Sequence, residues 1–380
     1  MRCSPLQYNE KRSSDQPQLS TLAARRHAFS TDMDLRCDPP DLRAVLWDLV
    51  AQLPAGRVAT YGGLADALGD RVAARWVGQV LIRDQEAAEL PTHRVVRAGG
   101  ELGAFVGGGV QDKRELLERE GVAIDATKRD EQTVNLEEFG FDDFHSDRPL
   151  AALREQQCEL RDQLRLTTPA ETPALVAGLD VSYGNGRAVA ACAVIDVGAN
   201  AGASMSEPVW SCIARRPISF PYISSYLAFR ELPVLLQLLE DVARTGPPIG
   251  LFMVDGSGLL HPRRMGIASM LGVLLNRPTM GVTKKRLIGK AGPAELIRYL
   301  PGSDETRAAA TIEVAPVLQE AEQLGWAIWP PSGTRKALYV SPGNLVDLQT
   351  CRDVTLRTLG PRRLPTPIYW ADRFSRDATK

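Results

Sequence analysis

The run Gly250-Leu-Phe-Met-Val254, followed at once by Asp255-Gly-Ser-Gly-Leu-Leu-His261-Pro-Arg-Arg264, constrains this chain more than any other stretch. A short apolar run bounded by turn formers reads as a strand buried on both faces. Here that strand ends in a carboxylate and opens into a glycine loop carrying a His and two Arg, which sets costly polar groups at the rim of a core. That pattern serves packing poorly and suits a divalent cation held beside a phosphate. Asp180 closes the run Ala174–Leu179 in the same way, and Glu231 lies in Leu227-Ala-Phe-Arg-Glu-Leu-Pro233. Any one of these acids alone reads as well as a turn cap. Three of them, together with the His-Pro-Arg-Arg loop, read as a site.

The segments around those acids predict three sequential strands, Leu175–Val181, Ala188–Val197 and Val209–Pro217, joined by turns as in a meander. A helix over Tyr226–Ala243 with Pro233 inside it, the strand Gly250–Val254, a helix over Arg263–Leu275 and the short strand Thr279–Thr283 follow. This order is that of a ribonuclease-H-like α/β domain, in which acids on the first strand, first helix and fourth strand converge. Clustered carboxylates repel, so a cation is the natural way to keep them ionised and close. Hard oxygen ligands favour Mg²⁺, with Mn²⁺ as the alternative. Lys284, at the end of the last strand, can neutralise charge developing on a phosphate.

A length of 380 residues implies two domains plus tails, and 44% hydrophobic with 24% charged residues is the balance of a globular protein. No apolar run reaches the roughly 18 residues of a membrane span. The N-terminus has no secretory apolar core, which predicts a cytoplasmic protein. Cys3, Cys37, Cys158, Cys192, Cys212 and Cys351 form no C-x-x-C pair, which argues for reduced thiols and against a structural zinc. The net charge of -1 does not announce a nucleic-acid binder, yet seven Lys or Arg lie between Asp255 and Lys290 (263, 264, 277, 284, 285, 286 and 290). Such local clustering matters more for phosphate contact than the total does.

Residues 1–38 are polar and aperiodic, which predicts a disordered tail. A first domain over 39–145 starts with a helix capped by Asp41 and bearing Leu42, Val45, Leu46, Leu49 and Val50 on one face. The acids Glu137, Glu138, Asp142, Asp143 and Asp147 mark the boundary, and a charged helix over Pro149–Leu166 opens a second domain, 148–375. Thr60-Tyr61-Gly-Gly-Leu64-Ala-Asp-Ala-Leu68-Gly69 and Ala73-Ala-Arg75-Trp-Val-Gly-Gln79 predict a helix, a Gly turn and a second helix. A small-residue helix carrying an Arg fits a DNA groove. It is equally an ordinary helix pair.

Residues from about 148 to 375 resemble endonuclease V. The motifs are AGLDVSY around Asp180, PYI at 221–223, LAFRELP at 227–233, VDGSG-LLHPRR at 254–264, GIASMLG at 266–272, GVTKKRLIGK at 281–290, YVSPG at 339–343 and WADRFS at 370–375. The resemblance implies Mg²⁺-dependent hydrolysis of a phosphodiester on the 3′ side of a deaminated base, chiefly hypoxanthine. It assigns metal ligation to Asp180 and Asp255 with Glu231 completing the set, and an electrostatic role to Lys284. Pro221-Tyr222-Ile223 would be the wedge that fills the gap left by an extruded base, and Gly256 and His261 match positions near the base pocket. Three departures stand out. Ser224-Ser225-Tyr226 replaces the family's Pro-Gly-Leu, Met270 stands where a His is usual, and Asn344 replaces another His. The wedge change predicts relaxed base discrimination, with the Tyr226 ring free to stack on a base. Met270 and Asn344 favour a rival reading in which the nuclease half only binds and recruits; the intact acids and Lys284 oppose it.

Residues 41–145 resemble the O6-alkylguanine-DNA alkyltransferases, through Leu90-Pro-Thr92-His93-Arg94-Val-Val96, the glycines of 99–109 and Leu116-Leu-Glu-Arg-Glu120-Gly-Val122. Their fold is a winged-helix, helix-turn-helix-like DNA-binding domain. The alkyl-accepting Cys of that family is Thr92 here, and a Thr hydroxyl is a far weaker nucleophile than an activated thiolate. The domain is therefore similar to alkyltransferase-like proteins, which bind alkylated DNA without repairing it. By position, Arg75 would fill the vacated stack and Tyr61 would help turn the nucleotide out, with Thr92 and Arg94 counted among the DNA-binding residues of this domain. His93 and Glu120 would be structural, and Phe105 and Val106 would alter the pocket. The partners implied are damaged DNA, carrying deaminated bases or O6-alkylguanine, with RNA as a second substrate class and downstream repair proteins as contacts.

Overall fold

The computed structural model describes residues 38–126, 132–198, 207–299, 310–331 and 335–380. The tail expected over 1–38 lies outside the described residues but for Asp38. Two compact units emerge among the described residues. One comprises 38–159 with 218–230, the other 160–217 with 231–380.

The first unit contains α1 (Leu42–Ala51), β1 (Ala59–Thr60), α2 (Tyr61–Ala67), α3 (Ala74–Arg83), β2 (Val95–Val96), α4 (Val110–Arg119), β3 (Ile124–Ala126), β4 (Gln132–Val134), α5 (Leu136–Phe139) and α6 (Pro149–Arg161, up to residue 159). Asp41 caps α1 by accepting from the Arg43 and Ala44 amides, and Leu42, Leu46, Leu49 and Val50 are buried, as their spacing predicts. Thr60 caps α2 through Gly63 N–H, and Gly69 ends it in the left-handed region with φ of 104°. A side chain at Gly69 would lie 2.5 Å from the Ala151 amide nitrogen, so glycine also lets the start of α6 approach the α2–α3 turn. β1 pairs in parallel with β2, and β3 with β4 forms the antiparallel hairpin of the wing.

The second unit is built on a ten-stranded sheet in the order β10-β12-β13-β14-β9-β8-β5-β6-β7, with β11 on β12. Its strands are β5 (Leu175–Gly184), β6 (Arg187–Asp196), β7 (Trp210–Pro217), β8 (Leu251–Asp255), β9 (Thr279–Thr283), β10 (Lys290–Ala291), β11 (Glu295–Tyr299), β12 (Ala310–Gln319), β13 (Glu322–Trp329) and β14 (Leu338–Asn344). The helices are α7 (Leu227–Thr245, in this unit from Glu231), α8 (Ile267–Leu275), α9 (Leu348–Thr358) and α10 (Thr366–Asp377). β5, β6 and β7 form an antiparallel meander, while β8 joins β5 and β9 joins β8 in parallel. This is the ribonuclease-H-like order expected from the sequence.

The structure also corrects that expectation. α8 begins at Ile267 rather than at Arg263, because Arg264 takes φ of 57° and Gly266 is the N-cap. The charged helix at 149 ends at Arg161, and the first unit extends through most of it, past the boundary read from the acidic stretch.

Candidate functional site

Asp180 sits midway along β5, and Asp255 is the last residue of β8 beside it. On β5 alternate residues share a face, so Gly178 and Asp180 point the same way. A side chain at Gly178 would fall 2.1 Å from the Pro367 carbonyl oxygen, so the bare glycine lets α10 lie directly against β5. That approach delivers two residues of α10. Ser375 donates to Asp180 Oδ2 and contacts Ser182 Oγ at 2.8 Å, and Asp372 joins the acids. One oxygen each from Asp180, Asp255 and Asp372 lies within 4.8 Å of the others. Asp372 is the member of this carboxylate group that reasoning from strands missed, although it stands inside the WADRFS motif.

Lys284, one residue past β9, donates to Asp255 Oδ2 at 2.7 Å and lies 3.6 Å from Asp372 Oδ1. Burial would lower its ammonium, but Asp255 and then the other two acids hold it above the ordinary lysine range. Burial, and next the charge of Asp255, pushes the Asp180 carboxyl up to about 7. Lys284, and Arg376 at 2.8 Å from Asp372 Oδ1, are two cations beside three carboxylates and leave the group short of neutral. The hard-oxygen set fits a divalent cation of the Mg²⁺ or Mn²⁺ type. Glu231 is buried on α7, where it accepts from Tyr183 Oη at 2.9 Å and stands outside the group of three.

The other expected residues separate. Gly256 continues the strand by donating its amide to Val282, and a side chain there would meet Ile267. His261 is buried, and its Nδ1 accepts from the Arg263 amide. Of the basic cluster, Arg277 lies over the Phe252 ring and donates to the Ile249 carbonyl, and Arg264 pairs with Glu322. Lys285, Arg286 and Lys290 remain exposed.

Met270 and Asn344 are both interior positions. Met270 is 1% exposed in the apolar helix α8. Asn344 donates to Gly272 O and accepts from the Arg165 amide. It pairs with Thr279 at the far end of β9 from Val282, the partner of Asp255. Strand rise puts that end about 10 Å away.

In the first unit, Tyr222 is 66% exposed while Ile223 beside it is buried. The expectation that Tyr226 is free to stack on a base is wrong. Tyr226 is 0% exposed and packs beside Phe229, because its ring completes an apolar core. Arg75 is exposed on α3, Tyr61 is half-buried with its ring beneath Gly78, and Thr92 is buried. Arg94, expected to face DNA, instead donates to both oxygens of Glu120 and to Leu53 O, so it ties the domain together. Lys113, which the sequence reading overlooked, is fully buried, with its Nζ 5.7 Å from the centre of the Phe105 ring. It donates to Val95 O and Leu102 O, and burial brings its ammonium down to about 7.

Burial would raise the Glu120 carboxyl, but hydrogen bonds from Arg94, His93 and the Gly56 amide outweigh it and bring it down to about 2. An unfolded Glu ionises near 4.3, so the fold favours the charged form and gains from it at any pH above that value. That gain fades as pH falls from about 4.3 to 2. Calorimetric melts of Glu120→Gln should therefore lose less stability than the parent between pH 5 and 3, having less to lose.

No helix among the described residues is long and apolar enough to cross a membrane. The family model for endonuclease V matches residues 158–373, and that for the 6-O-methylguanine DNA methyltransferase DNA-binding domain matches 41–122. A bifunctional methyltransferase/endonuclease of Picrophilus torridus is 32% identical over 66% of this chain and 76% of its own. Endonuclease V of Xanthomonas campestris pv. campestris is 38% identical over 58% of this chain and 82% of its own. The crystal structure of the catalytic domain of human endonuclease V is 25% identical, covering 62% of this chain and 97% of that one with a TM-score of 0.50. With those matches laid over the β5, β8 and α10 carboxylates and the helix-turn-helix unit, the chain belongs to the endonuclease V family, as a DNA-repair endonuclease fused to an alkyltransferase-like DNA-binding domain.

Proposed function

We propose that the chain cleaves a phosphodiester on the 3′ side of hypoxanthine in DNA, and that its first unit binds O6-alkylguanine without removing the alkyl group. The observation that carries the nuclease reading is the convergence of Asp180, Asp255 and Asp372 beside Lys284. Asp180, Asp255 and Asp372 would hold Mg²⁺, with Mn²⁺ able to replace it, and Glu231 completes the acidic set. Such a cation, when bound, polarises a phosphodiester and lowers the pKa of a water. Ser375 orients Asp180, and Tyr183 orients Glu231. Lys284 reaches between Asp255 and Asp372, where its charge offsets what builds on the phosphate. Tyr222 would enter the stack when the base leaves it, and Gly256 and His261 would shape the base pocket. Extruding a base costs a few kcal/mol and is easiest for damaged ones. Nicking of an inosine duplex with Mg²⁺, absent with EDTA, tests this reading.

The alkyltransferase-like role rests on Thr92, buried where the alkyl acceptor would stand. After incubation with an O6-methylguanine duplex, mass spectrometry should find the protein unmodified; a methyl group on Thr92 would refute this. Arg75→Ala should weaken binding to the lesion more than to undamaged DNA, since only the flipped state leaves a gap to fill. Titrations at one salt concentration measure the difference.

A further inference from the structure

Residues 218–230 run from the end of β7 into the first turn of α7, inside the stretch matched by the endonuclease V family model, yet they pack within the first unit. Phe220, Ile223, Tyr226 and Phe229 are all buried there, and the rings of Phe220 and Tyr226 each lie 6.2 Å from that of Phe229. Arg230 closes the turn by donating to Phe220 O at 2.7 Å. Backbone bonds Tyr226 N–H to Ile223 O and Phe229 N–H to Tyr226 O complete it. Ser225 takes φ of 64° to make the bend, a conformation that costs a non-glycine residue energy and persists only where surroundings impose it.

Next to this bend stands the Tyr226 hydroxyl. It donates to Asp70 Oδ2 at 2.7 Å and contacts Leu150 O at 3.1 Å. Asp70 is no idle surface acid. Its other oxygen accepts from the Val72 amide, capping the 3-10 turn Arg71–Ala73 that runs directly into α3 and Arg75. One carboxylate therefore holds both the start of the helix that presents Arg75 and the segment that presents Tyr222.

We infer that Tyr226 is a positioning residue: through Asp70 it fastens the Pro221-Tyr222-Ile223 segment to the lesion-sensing unit, so that the exposed Tyr222 is held by the sensor's own fold. The replacement of Leu by Tyr at 226 then acts not as a second stacking ring but as an anchor that needs residues 38–159 for its partners. This rests on the proposed wedge role of Tyr222 only for its effect on cleavage; the anchor itself is independent of that role.

The test uses the full chain and the variants Tyr226→Phe, Asp70→Ala, the double replacement and Tyr222→Ala. Tyr226→Phe keeps the buried ring and removes only the hydroxyl. Hydrogen exchange of the amides of 218–230 should accelerate by about tenfold in Tyr226→Phe, as the loss of a hydrogen bond to a charged group converts. The double variant should be no faster than Asp70→Ala alone. Arg75→Ala, on the same helix, should leave those amides unchanged. Unchanged exchange in Tyr226→Phe overturns the anchor. In cleavage, Tyr226→Phe should raise KM for an inosine duplex by about tenfold with kcat retained. A Tyr222→Ala protein with unaltered KM and inosine preference would remove the wedge reading, and the exchange result would still decide on the anchor. Altered KM in Tyr222→Ala with a parent-like Tyr226→Phe, in both exchange and KM, overturns the anchor alone.

Discussion

Asp255→Asn should leave duplex binding within a few-fold of the parent and lower cleavage by at least about 10³-fold, the scale on which loss of electrostatic and metal assistance is felt. The replacement keeps shape and removes one charge. It also frees Lys284, whose ammonium donates to Asp255 Oδ2. On the proposed reading the variant loses a metal ligand and loosens Lys284, which keeps only Asp372 at 3.6 Å. Single-turnover nicking of inosine DNA with Mg²⁺, beside a gel-shift titration, separates the two quantities. Parent-rate nicking by Asp255→Asn would mean that the metal site lies elsewhere.

Gly178→Ala should be nearly as damaging, though Gly178 carries no chemistry. Its methyl group would meet the Pro367 carbonyl and the Ile368 amide, which are backbone and cannot rotate away. Overpacking against a fixed obstacle costs about 3 kcal/mol. For a unit of this size that is a fall of roughly 6–12 °C in Tm. The greater effect is on geometry: α10 must move off β5 and take Asp372 and Ser375 with it. Cleavage should drop more than stability alone explains, and Mg²⁺ should raise the Tm of the variant less than that of the parent. Calorimetry with and without Mg²⁺ reads both effects.

The parts of this architecture that were legible in the sequence are those in which local pattern and chemistry coincide. Buried strands ending in Asp180 and Asp255 announce themselves because a carboxylate at the end of an apolar run is costly without a purpose. β9 was bounded correctly at Thr279–Thr283, flanked by Pro278 and the Lys pair. The five strands from Lys290 to Asn344 passed unnoticed because Gly and Pro interrupt them and their apolar alternation is weak. Asp372 could not be found by periodicity. On α10 it sits beside Arg373 and four residues before Arg376, with which it pairs at 2.8 Å, and so it reads as an ordinary helix-surface acid. Tyr226 misled for the opposite reason: an aromatic next to two serines looks exposed until the partners at Asp70 and Leu150, far off in sequence, bury it. Met270 and Asn344 looked like damage to a site. They are interior positions, where a thioether fills apolar space and an amide bridges backbone groups.

The central claim, a carboxylate-held metal centre that cuts beside deaminated adenine, is tested most directly by one product map. A duplex with a single inosine, end-labelled and incubated with the parent and Mg²⁺, should yield one nick on the 3′ side of the inosine. The matched adenine duplex should be nicked far less, and EDTA should abolish the nick. Cleavage of both duplexes alike, or an inosine nick that survives EDTA, would contradict the account.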